Sequence, residues 1–254
     1  MTGRIRTIGV IPSRYGSQRL PAKPLVDLLG KPMIQRVYEQ AKKASSLDRV
    51  VVATDDERIA AAVRRFGGEA VMTSTEIRSG TDRMAAVADQ YAAEIYVNVQ
   101  GDEPLLEPAM IDQAVRLLIE DPGASVSTVA RRIDSAADLG NPSVVKLVVD
   151  GRGHALYFSR SPIPFVREEP AVERWLMHHV FYKHIGLYAY RGDFLKTYVG
   201  LPESPLERAE HLEQLRVLEH GYSIKVGITP FDSVPIDTPE DVDKVIRLLR
   251  AQAR

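Results

Sequence analysis

The stretch "IPSRYGSQRLPAKPL" at 11–25 carries Arg14, Arg19 and Lys23 and no acid. An apolar run, Ile8–Ile11, precedes it and reads as a buried strand. In an open parallel sheet, ligands sit beside the loops that leave the carboxyl ends of the strands. Gly16 permits close backbone approach, and Pro21 and Pro24 stiffen the exit. Arg grips phosphate oxygens in pairs and Lys acts as a point charge, so the loop reads as a cradle for polyphosphate. Neither a Walker sequence nor G-x-G-x-x-G is present, which argues against a P-loop kinase or a dinucleotide dehydrogenase.

Two further stretches supply acids. "NVQGDEPLL" (98–106) ends a buried strand with Gln100, Gly101, Asp102 and Glu103. An acid in a phosphate crevice repels its ligand unless a cation lies between, and Mg²⁺ shared by carboxylates and phosphates is the usual arrangement. The bland alternative is that Asp102 caps the next turn. In "VPIDTPEDVDKV" (234–245), Thr238 reads as an N-cap, Pro239 as the first helical residue and Asp241 as the capping partner. Capping leaves Asp237 over, and it reads as a second metal ligand.

"SPLERAEHLEQLRVLEHG" (204–221) opens with the capping pattern Ser204, Pro205, Glu207 and reads as one helix over 205–220. Ala209, Leu212, Leu215 and Leu218 would form its buried stripe. Glu210, Glu213 and Gln214 would lie on the opposite face, solvated or turned to a polar ligand, with Glu210 and Gln214 sharing a face by i, i+4 spacing. In "HIGLYAY", strand alternation would point His184 and Tyr188 to one side. The six histidines lack metal-ligand spacing apart from His178–His179, which reads as strand or loop.

These residues need a scaffold to bring them together. Strand-like runs at 8–11, 49–53, 69–72 and 95–99 alternate with helix-like segments at 32–44, 57–66, 82–91 and 108–119. That alternation predicts βαβ units, a mostly parallel sheet and helices on both faces. The second half adds a hairpin around Asp150-Gly151, an aromatic strand at 180–190, a strand at 223–228 and a helix at 239–251. The expected organisation is one α/β domain over residues 1–254, with antiparallel strands in its second half and a dimerisation region within 155–200. The chain has 254 residues, 26% of them charged, with a formal net charge of −1, which gives no reason to expect a nucleic-acid surface. It has no cysteine, so disulfides and thiolate sites are excluded. No run suits a signal peptide or a membrane span, and the expectation is a cytoplasmic protein.

"IPSRYGSQRLPAKPL", "GKPMI", "ATDD", "SGTDR", "NVQGDEP", "ALYFSRSPIP", "HIGLYAYR", "SPLERAEHLEQLRVL" and "IDTPED" occur in this order along the chain. Together they resemble the 3-deoxy-D-manno-octulosonate (Kdo) cytidylyltransferase family. The resemblance implies a nucleotidyltransferase-type α/β fold, Mg²⁺ as cofactor and a homodimer. It also implies synthesis of CMP-Kdo and pyrophosphate from CTP and Kdo, for lipopolysaccharide assembly. By the same matching, Arg14 and Lys23 hold the CTP phosphates and Asp102 and Asp237 the metal, and these four form the catalytic set. Arg78, Ser79 and Gly80 lie around the cytosine, with Gln100 also on the CTP side. Arg19, Gln100, Arg160, His184, Tyr188, Glu210, Glu213 and Gln214 surround the sugar acid, whose carboxylate would be met by Arg19 or Arg160.

Two departures from the family pattern are visible. Ser13 and Ala22 stand where the family usually has Ala and Gly, and Ala22 argues against a positive φ at that position. The competing readings are a cytidylyltransferase for sialic acid or an 8-amino Kdo, and a non-catalytic nucleotide-sugar binding protein on the same fold.

Overall fold

Strand β1 (Thr7–Ser13) is buried along nearly its whole length, as suits a strand covered on both faces. In the computed structural model, which describes residues 6–16, 19–77 and 79–252, contacts cluster into two units: Met1–Asp112 with Ser233–Arg254, and Gln113–Asp232.

In the first unit, β1 is followed by α1 (Met33–Ala41), β2 (Arg49–Thr54), α2 (Glu57–Arg65), β3 (Ala70–Met72), α3 (Gly80–Ala88), β4 (Ile95–Asn98) and the start of α4 (Pro108–Glu120). The strands lie in the order β3-β2-β1-β4, all parallel. The ends of β1, β2 and β4 therefore share one edge, and the basic loop and the Gln100–Asp102 turn leave from it. At Gly101 the two segments come so close that a Cβ would sit 2.8 Å from the Pro12 carbonyl oxygen. A glycine is needed there for reasons of space.

Helix starts follow the capping rules. The Asp56 side chain accepts the Arg58 N–H at α2, and the Ser79 side chain accepts the Asp82 N–H at α3. The Ser79 cap starts α3 at Gly80, two residues earlier than the sequence pattern. Beyond the second unit, the C-terminal helix Pro239–Gln252 returns to the first. Ile236 and Val245 there pack with Leu28 and Met33 in one apolar cluster.

The second unit contains β5 (Val126–Arg132), α5 (Ala136–Gly140), β6 (Lys146–Val149), β7 (Ala155–Ser159), β8 (Tyr182–Arg191), α6 (Gly192–Gly200), α7 (Pro205–Glu210), α8 (Gln214–Glu219) and β9 (Ile224–Ile228). Strand β5 pairs in parallel with β9 and antiparallel with β8, and the expected β6–β7 hairpin is antiparallel. Its turn forms because the Asp150 carboxylate accepts both the Arg152 and the His154 N–H, each at 2.8 Å.

Three expectations need correction. The segment 205–220 is two helices, because His211 adopts φ 52° and ends α7. Glu210 and Gln214 therefore share no helical face. The buried stripe is Leu212, Leu215 and Val217, while Ala209 is exposed and Leu218 half-buried. Gln214 is itself buried rather than facing solvent. Strand β8 also departs from simple alternation: its register against β5 shifts between Ile185 and Tyr188, leaving Gly186 and Leu187 extra. Two extra residues preserve the parity, so His184 and Tyr188 remain neighbours, with ring centroids 5.1 Å apart. Finally, Ala22 does take a positive φ, 54°, at the start of the 3-10 turn Lys23–Leu25.

One buried charge ties this framework together near α3. The fully enclosed Arg83 reaches Asp55, just past β2, at 2.7 Å, and also bonds Thr73 Oγ1 and the Ile77 carbonyl. It thereby ties α3 to the end of β2 and to Thr73 and Ile77. Removing the carboxylate leaves a buried guanidinium uncompensated, a change that costs about 3–5 kcal/mol. Asp55→Ala is expected to lower the urea unfolding free energy by about 3 kcal/mol, with Arg83→Met restoring part of it in the double variant. A loss below about 1 kcal/mol would mean that Thr73 and Ile77 suffice for the guanidinium.

Candidate active site

At the edge where β1 and β4 end, a cavity of about 330 Å³ is lined by Ser13, Arg14, Arg19, Lys23, Gln100, Asp102 and Asp237, among others, all of the first unit. Its floor is an ion cluster. Lys23 Nζ donates to Asp102 Oδ2 at 2.7 Å and to Asp237 Oδ1 at 2.9 Å, and Arg19 Nη2 lies 3.1 Å from the same Asp237 oxygen. Five charged side chains chosen from sequence thus fall into one pocket, three cations against two carboxylates.

Local structure explains how two distant acids meet. The Ile236 N–H donates to the Asp102 carbonyl at 3.0 Å, so the chain entering the last helix is stitched to the β4 exit. Ile236 is held by its apolar cluster, and Thr238 and Asp241 form the expected cap. Asp241 Oδ2 accepts the Thr238 N–H at 2.9 Å and also the Asp237 N–H at 3.0 Å. Asp237 itself is left with its carboxylate aimed at Lys23, as the capping subtraction anticipates.

Burial alone would disfavour the Lys23 ammonium. The two carboxylates outweigh that, and its pKa rises above the ordinary lysine value. Lys23 is therefore a fixed positive charge and not a proton acceptor at neutral pH. For a divalent cation the donor set is two carboxylates, hard oxygens already gathered around one positive charge. That suits Mg²⁺, which takes one or two carboxylates and completes its shell with phosphate and water.

Of the residues matched to the cytosine, Ser79 is the cap of α3 and Gly80 its first residue, with a Cβ at Gly80 in ordinary contact with Pro12. Gln100 lines the cavity. Arg78 lies outside the described residues.

The second unit holds the remaining candidates. The Glu210 carboxylate accepts from Ser159 Oγ at 2.6 Å and from the Arg160 N–H at 2.9 Å. The Arg160 guanidinium donates to the carbonyls of Glu210, Pro142 and His211. The enclosed Lys146 ammonium donates to the carbonyls of Asn141, Val144 and Arg160. The backbone of one residue, Arg160, is thus held at its N–H by the Glu210 carboxylate and at its C=O by the Lys146 ammonium. His184 Nε2 lies 3.1 Å from Thr128 Oγ1, whose own proton is directed to the Leu187 carbonyl at 2.7 Å. That geometry makes Nε2 the protonated nitrogen. Burial pushes the His184 pKa down to about 3 and raises the Tyr188 phenol well above its usual value. Both are neutral hydrogen-bonding groups at pH 7. Glu213 is exposed, and its carbonyl accepts from the Tyr198 hydroxyl at 3.4 Å. His178 and His179 are exposed residues after the 3-10 segment Val172–Met177, as expected for a loop.

A cytidylyltransferase family model matches residues 8–225. The chain belongs to the cytidylyltransferases. The curated 3-deoxy-manno-octulosonate cytidylyltransferase of Geobacter metallireducens is 50% identical over 96% of this chain and 98% of its own length. That of Syntrophotalea carbinolica is 53% identical over 95% and 97%. A solved structure of CMP:2-keto-3-deoxy-manno-octonic acid synthetase complexed with CTP superimposes with a TM-score of 0.91 at 45% identity, covering 97% of this chain and 99% of that one.

Lys146 and Ser159 escaped the motif reading of this cytidylyltransferase, although both hold the Arg160–Glu210 pair. Lys146 carried a usable signal, a charge inside the apolar run "VVKLVV". Ser159 carried none. The His184 environment has a measurable consequence. Its folded pKa of about 3 lies below the unfolded value of 6.5, so its contribution to stability is complete above pH 6.5 and is lost as pH falls from there towards 3. At pH 5 the loss amounts to about 2 kcal/mol. Urea titrations at pH 7.5 and 5.0 are expected to show that much less acid sensitivity in His184→Gln than in the parent protein. Equal sensitivity in the two would mean that the imidazole takes up a proton in the folded state.

Proposed function

We propose that this enzyme transfers the cytidylyl group of CTP to the anomeric hydroxyl of Kdo, releasing pyrophosphate and forming CMP-Kdo for lipopolysaccharide assembly. The observation that carries the reading is the cavity at the strand ends, where Arg14, Arg19 and Lys23 face Asp102 and Asp237. Three cations suit a triphosphate, and two carboxylates suit the metal that accompanies it.

The hydroxyl oxygen bonds to the α-phosphorus while the bond to the bridging oxygen of the β-phosphate breaks. The hydroxyl proton passes to solvent, and pyrophosphate leaves with the electron pair. Nucleotidyl transfer of this kind needs positioning and charge neutralisation more than covalent help. Arg14 and Lys23 hold the phosphates and offset the charge that develops on the leaving group. The raised pKa of Lys23 fits an electrostatic role. Asp102 and Asp237 would hold Mg²⁺, which would supply positive charge for the triphosphate and Lewis acidity towards the attacking hydroxyl. Ser79, Gly80, Gln100 and Arg78 are assigned to the nucleotide. Arg19, Arg160, His184, Tyr188, Glu210, Glu213 and Gln214 are assigned to the sugar acid, together with Gln100. The neutral His184 and Tyr188 suit hydroxyls rather than a carboxylate, and Arg19 and Arg160 are the cations for the latter.

The reading includes a homodimer joined through 155–200, supported by the exposed Leu156, Phe165, Met177 and Val180, and a cytoplasmic location. Pyrophosphate release should require CTP, Mg²⁺ and Kdo, and be far slower with sialic acid or 8-amino Kdo. Asp102→Asn and Asp237→Asn should each lower kcat by about a hundredfold or more with unchanged melting curves. Normal turnover of either variant at limiting Mg²⁺ would contradict the two-aspartate site, and faster turnover of another sugar acid would change the substrate.

A further inference from the structure

The basic loop carries an aromatic residue between its first cation and its glycine, Tyr15, to which the motif reading gives no task. Its ring lies under the guanidinium of Arg58, whose Cζ is 3.3 Å from the ring centroid. Arg58 belongs to the first turn of α2, and its orientation is set from below. Nε donates to Asp56 Oδ1 at 2.9 Å and Nη2 to Asp56 Oδ2 at 2.6 Å, a two-point fork. The same Asp56 caps α2 by accepting the Arg58 N–H. Helix α2 is anchored in turn by its buried Ile59, Ala60, Ala62 and Val63. It also lies against the 3-10 turn Lys23–Leu25, so one helix touches the loop near both ends.

We propose that Arg58 is a positioning residue, which holds Tyr15 by stacking and so fixes Arg14 and Gly16 on either side of it before CTP arrives. An isolated surface ion pair contributes little, because two long side chains must be ordered for a screened attraction. Here the fork orders the guanidinium once, and its flat face is then presented to the Tyr15 ring. Arg14 is exposed and follows β1 directly. The neighbouring ring limits the paths its backbone can take. Residues 14–16 ordered beforehand have less freedom to lose when they bind phosphate, and the gain appears as affinity for the nucleotide. The charge of Arg58 is matched by Asp56, so the effect is one of order and not of added positive potential.

This inference rests on the reading of residues 14–23 as the CTP phosphate loop, and three sets of variants separate the two. Steady-state kinetics of Tyr15→Ala and Arg58→Ala are expected to show a KM for CTP raised about two- to fivefold, with kcat, the KM for Kdo and the melting curve unchanged. Tyr15→Phe, which keeps the ring, should restore most of what Tyr15→Ala loses. Arg14→Ala should raise the KM for CTP further. If Arg14→Ala raises it while Tyr15→Ala and Arg58→Ala do not, the stacking role is overturned and the phosphate loop stands. If Tyr15→Phe behaves like Tyr15→Ala, the hydroxyl and not the stacked ring matters, and the proposal fails. If Arg14→Ala also has no effect, the phosphate-loop reading fails and this inference with it.

Discussion

Two carboxylates far apart in the sequence share one ammonium at the edge of the first unit where β1 and β4 end. Lys23 is 79 residues from Asp102 and 214 from Asp237, yet donates to both at 2.7 and 2.9 Å. Each acid without a cation between them would raise the free energy of the folded state, since like charges a few ångströms apart repel by several kcal/mol at an effective dielectric of about 20. The parallel strands, the stitched 236–102 backbone bond and the capped C-terminal helix all serve to place these three groups. The helix contributes directly, because Asp237 sits at its positive end.

The same arrangement makes the cavity a site for exchange of partners. With Arg14 and Arg19 included, the lining has one more cation than carboxylates, so an anion is favoured overall. On the proposed reading a divalent cation would compete with Lys23 for the aspartates, and a phosphate would compete with the aspartates for Lys23. Mg²⁺ and triphosphate arriving together would satisfy both sides at once. The strained backbone at Ala22 fits this picture: it turns the loop so that Lys23 points inward, at a cost of about 1–2 kcal/mol for a residue with a Cβ.

Much of this was legible in the sequence. Runs of β-branched residues predicted the parallel strands, because a strand buried on both faces has few other solutions. Subtracting capping residues isolated Asp237, since Thr238 and Asp241 had local work to do and Asp237 had none. What failed was the helix over 205–220. Most residues there are good helix formers, and the break at His211 falls next to Glu210, whose carboxylate is bound to Ser159 and Arg160 far away in sequence. Propensity carries no information about such contacts. The positive φ at Ala22 was hidden because side-chain type argued against it, while the neighbouring Lys23 is held by two carboxylates distant in sequence. The Tyr15–Arg58 stack joins two motifs that read as unrelated, and only their shared edge of the sheet brings them together.

The competition between Lys23 and the metal can be measured without turnover. Calorimetric titration of Mg²⁺ into the nucleotide-free protein should give tighter binding in Lys23→Met than in the parent, because the ammonium no longer occupies both carboxylates. The same variant should bind CTP more weakly in the absence of Mg²⁺. Unchanged or weaker Mg²⁺ binding by Lys23→Met would contradict a shared two-aspartate centre.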